Sequence, residues 1–99
     1  MPYFVETWDK PDSLSLRQET RPEHLKFLDA YKARLLACGA KLSDDGSDAG
    51  GGVYILDVDT RAEAEALVAA DPYSQVGLFQ KVSICRWRKA YLDGRSYLG

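Results

Sequence analysis

Cysteine and histidine are scarce in this sequence, which has two cysteines, one histidine and no C-x-x-C pair among its 99 residues. Cys38 and Cys85 are too few and too far apart to form a disulfide framework. A single histidine without a cysteine pair also argues against an intrinsic zinc or iron site. We therefore expect neither a disulfide-stabilised fold nor a metal centre.

Long apolar runs and a charge of one sign are missing as well. No stretch approaches the roughly 20 apolar residues that a membrane-spanning helix needs, and the N-terminus lacks the basic and apolar segments of a signal peptide. The formal net charge is −2, acids and bases are interspersed, and the one locally basic segment lies at 86–89. We therefore expect a cytoplasmic protein that binds neither membranes nor nucleic acid.

What remains has the composition of an ordinary globular chain, 45% hydrophobic and 28% charged, and a length that fits one domain. Its core is expected at about 2–89, followed by a tail at 90–99. A polar connection at 9–19 and a turn-rich hairpin at 43–52 interrupt the periodic segments. The predicted elements, in chain order, are strand 2–8, a helix from Thr20 to about residue 31, strand 34–42, strand 53–59, a helix from Thr60 to Ala70, and strand 76–89.

Both helices are predicted to begin at the same type of signature. "TRPE" at 20–23 and "TRAE" at 60–63 each place a threonine at the N-cap and a glutamate three residues later, as in a capping box. Pro72 ends the second helix. The segment 34–42 stays ambiguous, because it fits either a strand or a continuation of the first helix up to Gly39.

The order βαββαβ predicts a ferredoxin-like α+β fold, an antiparallel sheet with both helices on one face. In this topology the second and fourth strands are opposite edges, so Cys38 and Cys85 cannot bond within one subunit. The helices cover only one face, although both faces carry apolar side chains. We expect a second subunit to cover the other face and form a homodimer. Candidates for that open face are Phe4, Trp8, Phe79 and Trp87.

Asp71 is an unusual residue, because it continues the apolar face of the second helix and lies at that helix's negative end. The topology brings the end of this helix beside the start of the first, where His24 points inward. An Asp71–His24 pair would explain both positions and would leave one ring nitrogen free as a general acid or base. The residues alone leave two structural readings open. An inward histidine is often only a satisfied core residue, and an aspartate before proline often bonds local amides.

Three further residues lie near the same end of the predicted fold. Arg17 and Arg21 could hold an anionic substrate by bidentate contacts, although each also fits a solvated surface position. Tyr73 could either pack in the core or offer its hydroxyl to the cleft.

These residues carry a resemblance to the YCII-related (YciI-like) family. It rests on "DKPDSLSLRQETRPEHL", "EAEALVAADPYSQVGLF" and "VSICRWRK", and it spans roughly 2–89. A departure is Gly39-Ala40, where members commonly have Gly-Pro. The positions that match the family's recurring features are Asp9, Arg17, Arg21, Pro22, His24, Leu25, Asp71, Pro72, Tyr73, Gly77, Leu78 and Phe79.

The resemblance implies a dimeric α+β barrel in which two ferredoxin-like subunits join through their sheets. It also implies a strand at 34–42, a first helix that ends near residue 32 or 33, and a catalytic role for His24 and Asp71. One member is a dehydrochlorinase of a chlorinated hydroxyhydroquinone, and most have no assigned reaction. We expect a cofactor-independent lyase or isomerase for a small polar or aromatic acid. The alternative is a non-catalytic dimeric module that binds a small ligand or assists a larger system.

Overall fold

Four strands form one antiparallel sheet in the computed structural model, which describes residues 1–99. The sheet has the order β2-β3-β1-β4, so β2 and β4 are the edges, as the sequence predicts. A short 3-10 turn at Lys32–Arg34 precedes β2, which settles the ambiguous segment as a strand. The elements are β1 (Tyr3–Asp9), α1 (Leu14–Ala30), β2 (Leu35–Leu42), β3 (Asp48–Leu56), α2 (Arg61–Ala70), α3 (Pro72–Gln75), β4 (Phe79–Arg86), β5 (Tyr91–Leu92) and β6 (Arg95–Ser96).

The core lies between the sheet and the two long helices. Alternate residues of β1 are buried because one face of the strand meets the helices, whereas Phe4, Glu6 and Trp8 on the other face are half-buried. Burying each large aliphatic side chain contributes roughly 1.5–3 kcal/mol. The core residues are Tyr3, Val5, Tyr54, Leu56, Val58, Ala64, Leu67 and Val68, with Phe27 and Leu28 of α1 packed against them.

Helix α1 begins at Leu14, before the predicted start at Thr20, and the first capping box is not used. The hydrogen-bond ladder already runs from the Arg17 amide to the Ser13 carbonyl at 3.0 Å. Pro22 is therefore inside the helix, where its missing N–H removes one ladder bond. The buried residues of α1 are Arg17, Thr20 and His24, so the inward face of this helix is polar. Apolar periodicity cannot detect such a face.

The second capping box forms as predicted. Helix α2 begins after Thr60, whose hydroxyl accepts from the Glu63 amide at 3.2 Å. The identical signature thus caps one helix and lies within the other. The two boxes differ in the chain upstream. Residues before the first box are helical and bury Arg17, whereas only residues 57–60 separate β3 from α2.

The turn between β2 and β3 is shorter than the predicted hairpin at 43–52. It closes with a hydrogen bond from the Ser43 amide to the Ser47 carbonyl at 2.8 Å, and the glycines beyond it belong to β3. Gly51 has φ +153°, and a Cβ there would lie 2.1 Å from the carbonyl oxygen of Thr7. Glycine is needed at this position because β1 approaches β3 too closely for a side chain.

Strand β4 is shorter than the predicted segment 76–89, and it contains a change of register. Between Trp8 and Asp9 the pairing with β4 shifts, and Asp9 lies opposite Phe79. The shift turns Phe79 toward the helices, where it packs against the core. The expectation that Phe79 lies on the open face was therefore wrong, because an irregularity breaks the alternation on which it depended.

The open face of the sheet carries partly exposed aromatic and charged side chains. Lys41 and Lys81 place their ammonium groups 4.3 and 4.7 Å from the centre of the Trp8 ring. Beyond β4, the Trp87 amide donates to the Pro2 carbonyl at 2.9 Å. The tail then forms the two-stranded hairpin of β5 and β6. No helix of the protein is both long and apolar enough to cross a membrane.

Candidate functional site

Asp71 joins α2 to α3 and belongs to both. It is the C-cap of α2, and it is also the N-cap of α3, where its Oδ1 accepts from the Tyr73 amide at 2.9 Å. The carboxylate therefore serves as the cap of the helix that follows, which explains an acid at the end of α2. Its side chain has no exposed surface.

His24 approaches this carboxylate from α1. The distance from Nδ1 to Asp71 Oδ1 is 2.8 Å, and the two residues are 47 positions apart in the chain. The contact predicted from topology is thus present, and so is the local capping bond that was the structural alternative. His24 lies in the middle of α1, because the helix begins earlier than expected, so the charge at the helix N-terminus does not act on it.

The second ring nitrogen of His24 remains available to solvent. Every fully buried side-chain nitrogen or oxygen of the protein has a hydrogen-bond partner. His24 Nε2 has none, although the residue as a whole is 9% exposed. An ionised carboxylate can only accept, so with Asp71 in that form Nδ1 is the donor of this contact and Nε2 presents a lone pair.

A tyrosine that the sequence patterns did not single out also binds Asp71. The Tyr54 hydroxyl donates to Oδ2 at 2.5 Å. Burial, followed by the charge of Asp71 and this hydrogen bond, raises the pKa of Tyr54 far above its ordinary value. Tyr54 therefore keeps its proton and acts as a donor. Three groups thus contact the Asp71 carboxylate, two at Oδ1 and one at Oδ2.

Arg17 is held by two carboxylates. Its NH1 lies 2.9 Å from Asp9 Oδ2 and 3.2 Å from Asp9 Oδ1, and its Nε lies 3.5 Å from Asp48 Oδ1. Both Arg17 and Asp9 are buried at the side chain. Arg21, one helical turn further on, is exposed and makes no ion pair within the protein. The two arginines thus differ, since the charge of Arg17 is already compensated and that of Arg21 is not.

Tyr73 stacks on His24. Their ring centroids lie 3.9 Å apart with an interplanar angle of 15°, and the Arg17 guanidinium carbon lies 4.8 Å from the centre of the Tyr73 ring. Phe79 meets Tyr73 edge to face at 6.1 Å. These contacts fix the imidazole plane and leave the Tyr73 ring buried. Burial is also the main cause that raises the pKa of Tyr73.

The residues enclose a cleft of about 200 Å³ between α1 and the sheet. This volume is smaller than the roughly 300–1,000 Å³ of sites for drug-sized ligands, so it suits a small molecule. His24, Arg17, Arg21 and Tyr73 line it, and Asp71 lies behind His24. The complete lining is Thr7, Arg17, Arg21, His24, Leu25, Leu28, Cys38, Gly39, Ala40, Asp48, Gly52, Val53, Tyr54, Tyr73 and Phe79.

Cys38 contributes the only thiol of this cleft. Burial of its thiol, with the negative charge of Asp71 as the second cause, raises the pKa of Cys38 from its ordinary value of 9.0 to about 11. The thiol is therefore neutral at physiological pH and is not a strong nucleophile. No group of three or more histidine, cysteine, aspartate or glutamate side chains is placed to hold a metal ion.

The sequence-predicted residues His24, Asp71, Arg17, Arg21 and Tyr73 all come together at one end of the fold. The cleft also contains residues that the sequence patterns did not assign to the site. In the sequence alone, Tyr54 looks like a core residue of a strand and Asp48 like an acidic residue of a turn. The shared feature that could have indicated them is their place at the same end of the sheet as the predicted pair.

The four-stranded antiparallel sheet, the two helices on one face and the polar cleft define an α+β protein of the ferredoxin-like class. Within that class the chain belongs to the YCII-related family, because residues 1–88 match the YCII-related domain. It is 33% identical over 98 residues to "Protein YciI" of Escherichia coli O6:H1 and, equally, of Shigella flexneri. These matches cover 92% of this chain and 100% of each relative.

Solved structures agree with this assignment. The 5-chloro-2-hydroxyhydroquinone dehydrochlorinase of Burkholderia phenoliruptrix, solved with 2,5-dihydroxybenzoquinone, superposes with a TM-score of 0.81 at 28% identity. The match covers 89% of this chain and 94% of that one. An antibiotic biosynthesis monooxygenase has a TM-score of 0.51 at 13% identity, covering 85% and 92% of the two chains, which is a likeness of fold alone.

Proposed function

We propose that the protein is a small enzyme that uses His24 and Asp71 for general acid–base chemistry on a small polar or aromatic acid. The observation that carries the proposal is the 2.8 Å contact between His24 Nδ1 and a fully buried carboxylate, with Nε2 left open to the cleft. A paired histidine of this kind can take a proton from a bound molecule and return it elsewhere.

The chemistry assigned to each residue follows from its protonation state. His24 Nε2 removes a proton from an O–H or an activated C–H of the substrate, and Asp71 stabilises the imidazolium that results. Return of the proton to another atom of the substrate isomerises it. If an anionic leaving group departs instead, the same proton removal gives an elimination. Proton transfer by a positioned side chain contributes typically 10²–10⁴-fold to a rate.

The two arginines of the cleft have different roles. Arg21 is the cation of the cleft without an ion-pair partner, so it is the one available for a direct contact with a carboxylate or an enolate. It thus stabilises the negative charge that develops when His24 withdraws a proton. Arg17, whose charge Asp9 and Asp48 compensate, has its guanidinium fixed beside the Tyr73 ring and forms part of the wall that faces the substrate.

The likeness to a dehydrochlorinase supports this reaction class without fixing the substrate. That protein acts on a chlorinated hydroxyhydroquinone, and its structure holds a dihydroxybenzoquinone. The cleft described above has room for a molecule of about this size. We propose hydroxyquinones, together with lactones and enolisable acids, as the substrates to test first.

The decisive experiment compares turnover of this panel by the unmodified protein, His24→Ala and Asp71→Asn. Both variants should lose about 10²-fold or more in kcat, while Lys26→Ala on the exposed side of the same helix should not differ from the unmodified protein. Absence of turnover throughout the panel would remove support for an enzyme. Tight binding of a panel member that survives His24→Ala would instead indicate the non-catalytic ligand-binding module.

We also propose that the protein is a homodimer joined through the open face of the sheet. The half-buried aromatic rings of Phe4 and Trp8 on that face would be covered by the same face of a second copy. Trp8→Glu should convert the dimer to a monomer in sedimentation velocity. A single monomeric species of the unmodified protein at micromolar concentration would contradict the proposal.

A further inference from the structure

Tyr54 binds the same carboxylate as His24, and the proposed chemistry gives it no role. Its hydroxyl donates to Asp71 Oδ2, while His24 Nδ1 and the Tyr73 amide both meet Oδ1. We propose that Tyr54 is a positioning residue that sets the tautomer of His24 by holding Asp71 as a hydrogen-bond acceptor. Its consequence for catalysis rests on the proposed function, whereas the arrangement of protons does not depend on any substrate.

The first step concerns the orientation of the carboxylate. The two contacts at Oδ1 leave the second carboxylate oxygen without a donor. The Tyr54 hydroxyl provides a second point of attachment at Oδ2, 2.5 Å away. Tyr54 lies on β3, which is paired on both sides, opposite Val5 and Cys38. A central strand of the sheet thus fixes a side chain that belongs to the junction between two helices.

The second step concerns the protons. Asp71 has no exposed surface, and a buried ionised carboxylate depends on its hydrogen-bond donors. The Tyr54 hydroxyl keeps its proton, because burial and the charge of Asp71 raise its pKa. With the Tyr54 hydroxyl and the Tyr73 amide as donors, the ionised form of Asp71 is favoured, and it can only accept from His24 Nδ1. Without the Tyr54 hydroxyl, Asp71 takes up a proton from solvent more readily. The neutral acid then donates to Nδ1, and the neutral imidazole carries its one proton on Nε2, which is the wrong tautomer for a base.

A matched control is present in the neighbouring strand. Tyr3 is also buried among the core residues, with 9% exposure, but its hydroxyl makes no hydrogen bond within the protein. Removing the hydroxyl of Tyr3 therefore tests the loss of a tyrosine hydroxyl from a core residue that has no bond to Asp71. Removing that of Tyr54 tests its bond to Asp71.

The test measures the His24 tautomer by imidazole ¹⁵N NMR on the full-length protein without ligand. The protein has one histidine, so its signals need no assignment by mutation. The unmodified protein should show the Nδ1–H form. In Tyr54→Phe at the same pH, the ratio of Nδ1–H to Nε2–H should fall about tenfold, because losing a hydrogen bond to the charged carboxylate favours the protonated form of Asp71 that donates to Nδ1. Tyr3→Phe should leave the ratio unchanged.

Equal ratios in Tyr54→Phe and in the unmodified protein would overturn the inference, and so would equal losses in Tyr54→Phe and Tyr3→Phe. If Tyr54→Phe does not fold, the unmodified protein provides the test. Its NMR spectrum should show a slowly exchanging tyrosine hydroxyl proton close to the His24 Nδ1 proton. A rapidly exchanging hydroxyl proton would overturn the inference. With a substrate in hand, Tyr54→Phe should lower kcat and leave KM unchanged.

The outcomes separate this inference from the proposed function. A tautomer that changes in Tyr54→Phe, in a protein that turns over none of the panel, leaves the positioning role standing and removes the enzyme. If turnover requires His24 but the tautomer does not change in Tyr54→Phe, the enzyme stands and the positioning role of Tyr54 is removed.

Discussion

Two acid–base pairs are buried side by side at one end of this sheet, and they have opposite capacities. Asp9–Arg17 and Asp71–His24 both join a carboxylate to a nitrogen at 2.8–2.9 Å with little exposure of either side chain. A guanidinium is always charged in proteins, and a second carboxylate, that of Asp48, lies beside Arg17. His24 can gain and lose a proton, and one of its nitrogens is unpartnered.

Burial and distance therefore do not by themselves distinguish a pair that stabilises the fold from a pair that can transfer a proton. The discriminating features are whether the base can release its proton near neutral pH and whether one of its atoms reaches the cleft. By both criteria Asp71–His24, and not Asp9–Arg17, is the pair to which we assign proton transfer in the proposed function. Three sets of variants test this contrast.

The largest effect on stability is expected from Asp71→Ala. The substitution leaves the Tyr54 hydroxyl, His24 Nδ1 and the Tyr73 amide without their acceptor, so the free energy of unfolding should fall by about 3–5 kcal/mol. Urea unfolding followed by tryptophan fluorescence measures it. His24→Ala, which leaves Asp71 with two donors, should cost less. A loss below about 1 kcal/mol for Asp71→Ala would show that the three contacts of this carboxylate contribute little to stability.

An intermediate effect is expected from Asp9→Asn. It removes the charge that Arg17 NH1 contacts, but Asp48 still faces Arg17 Nε, and the free energy of unfolding should fall by about 2 kcal/mol. Glu63→Gln is the control, because its ion pair with Arg34 is exposed and should contribute less than about 1 kcal/mol. Equal losses in the two variants would contradict the distinction between buried and exposed pairs. Because Arg17 moves no proton, Asp9→Asn should also reduce kcat less than Asp71→Asn does.

The smallest effect concerns the Cys38 thiol, on which both pairs act. Burial is the largest cause of the raised pKa of this thiol, which is about 11. The charge of Asp71 also raises this pKa, and the charge of Arg17 lowers it. Because the folded-state value is the higher one, folding favours the neutral thiol. This contribution to stability is complete below pH 9.0 and is lost as the pH rises from 9.0 to about 11.

Alkylation of Cys38 by iodoacetamide should therefore rise with pH up to about 11, measured in a Cys85→Ala background with one thiol. Asp71→Asn should move the midpoint of this profile to lower pH, and Arg17→Gln should move it to higher pH. A midpoint that responds to neither substitution would mean that the two charges do not reach the cleft.

The arrangement of the sheet and the central contact of the site could be predicted from the sequence. Alternating apolar residues and short connections fix the order of the strands, and that order fixes which helix ends meet. The prediction that His24 and Asp71 lie together placed His24 at the start of the first helix. The contact is present although His24 lies in the middle of α1, because His24 is on the inward face of that helix in either case.

Other features could not be predicted, for identifiable reasons. The first part of α1 presents Arg17 and Thr20 to the interior, so the sequence has no apolar stripe that would predict a helix there. The face of Phe79 depends on a register shift that leaves no signature in the amino acids. Tyr54 occupies an inward position that an ordinary core aromatic would also occupy, and only the position of its hydroxyl oxygen reveals the difference.

The double use of Asp71 has a consequence for how this family should be compared across evolution. The residue caps α3 through the Tyr73 amide and at the same time orients His24. Under the proposed function, a descendant that abandoned the chemistry would still be selected to keep the aspartate for its fold. The presence of Asp71 in an alignment would therefore carry little information about activity. The presence of the histidine would carry more, because a lineage without the proposed activity could lose it at a smaller cost in stability.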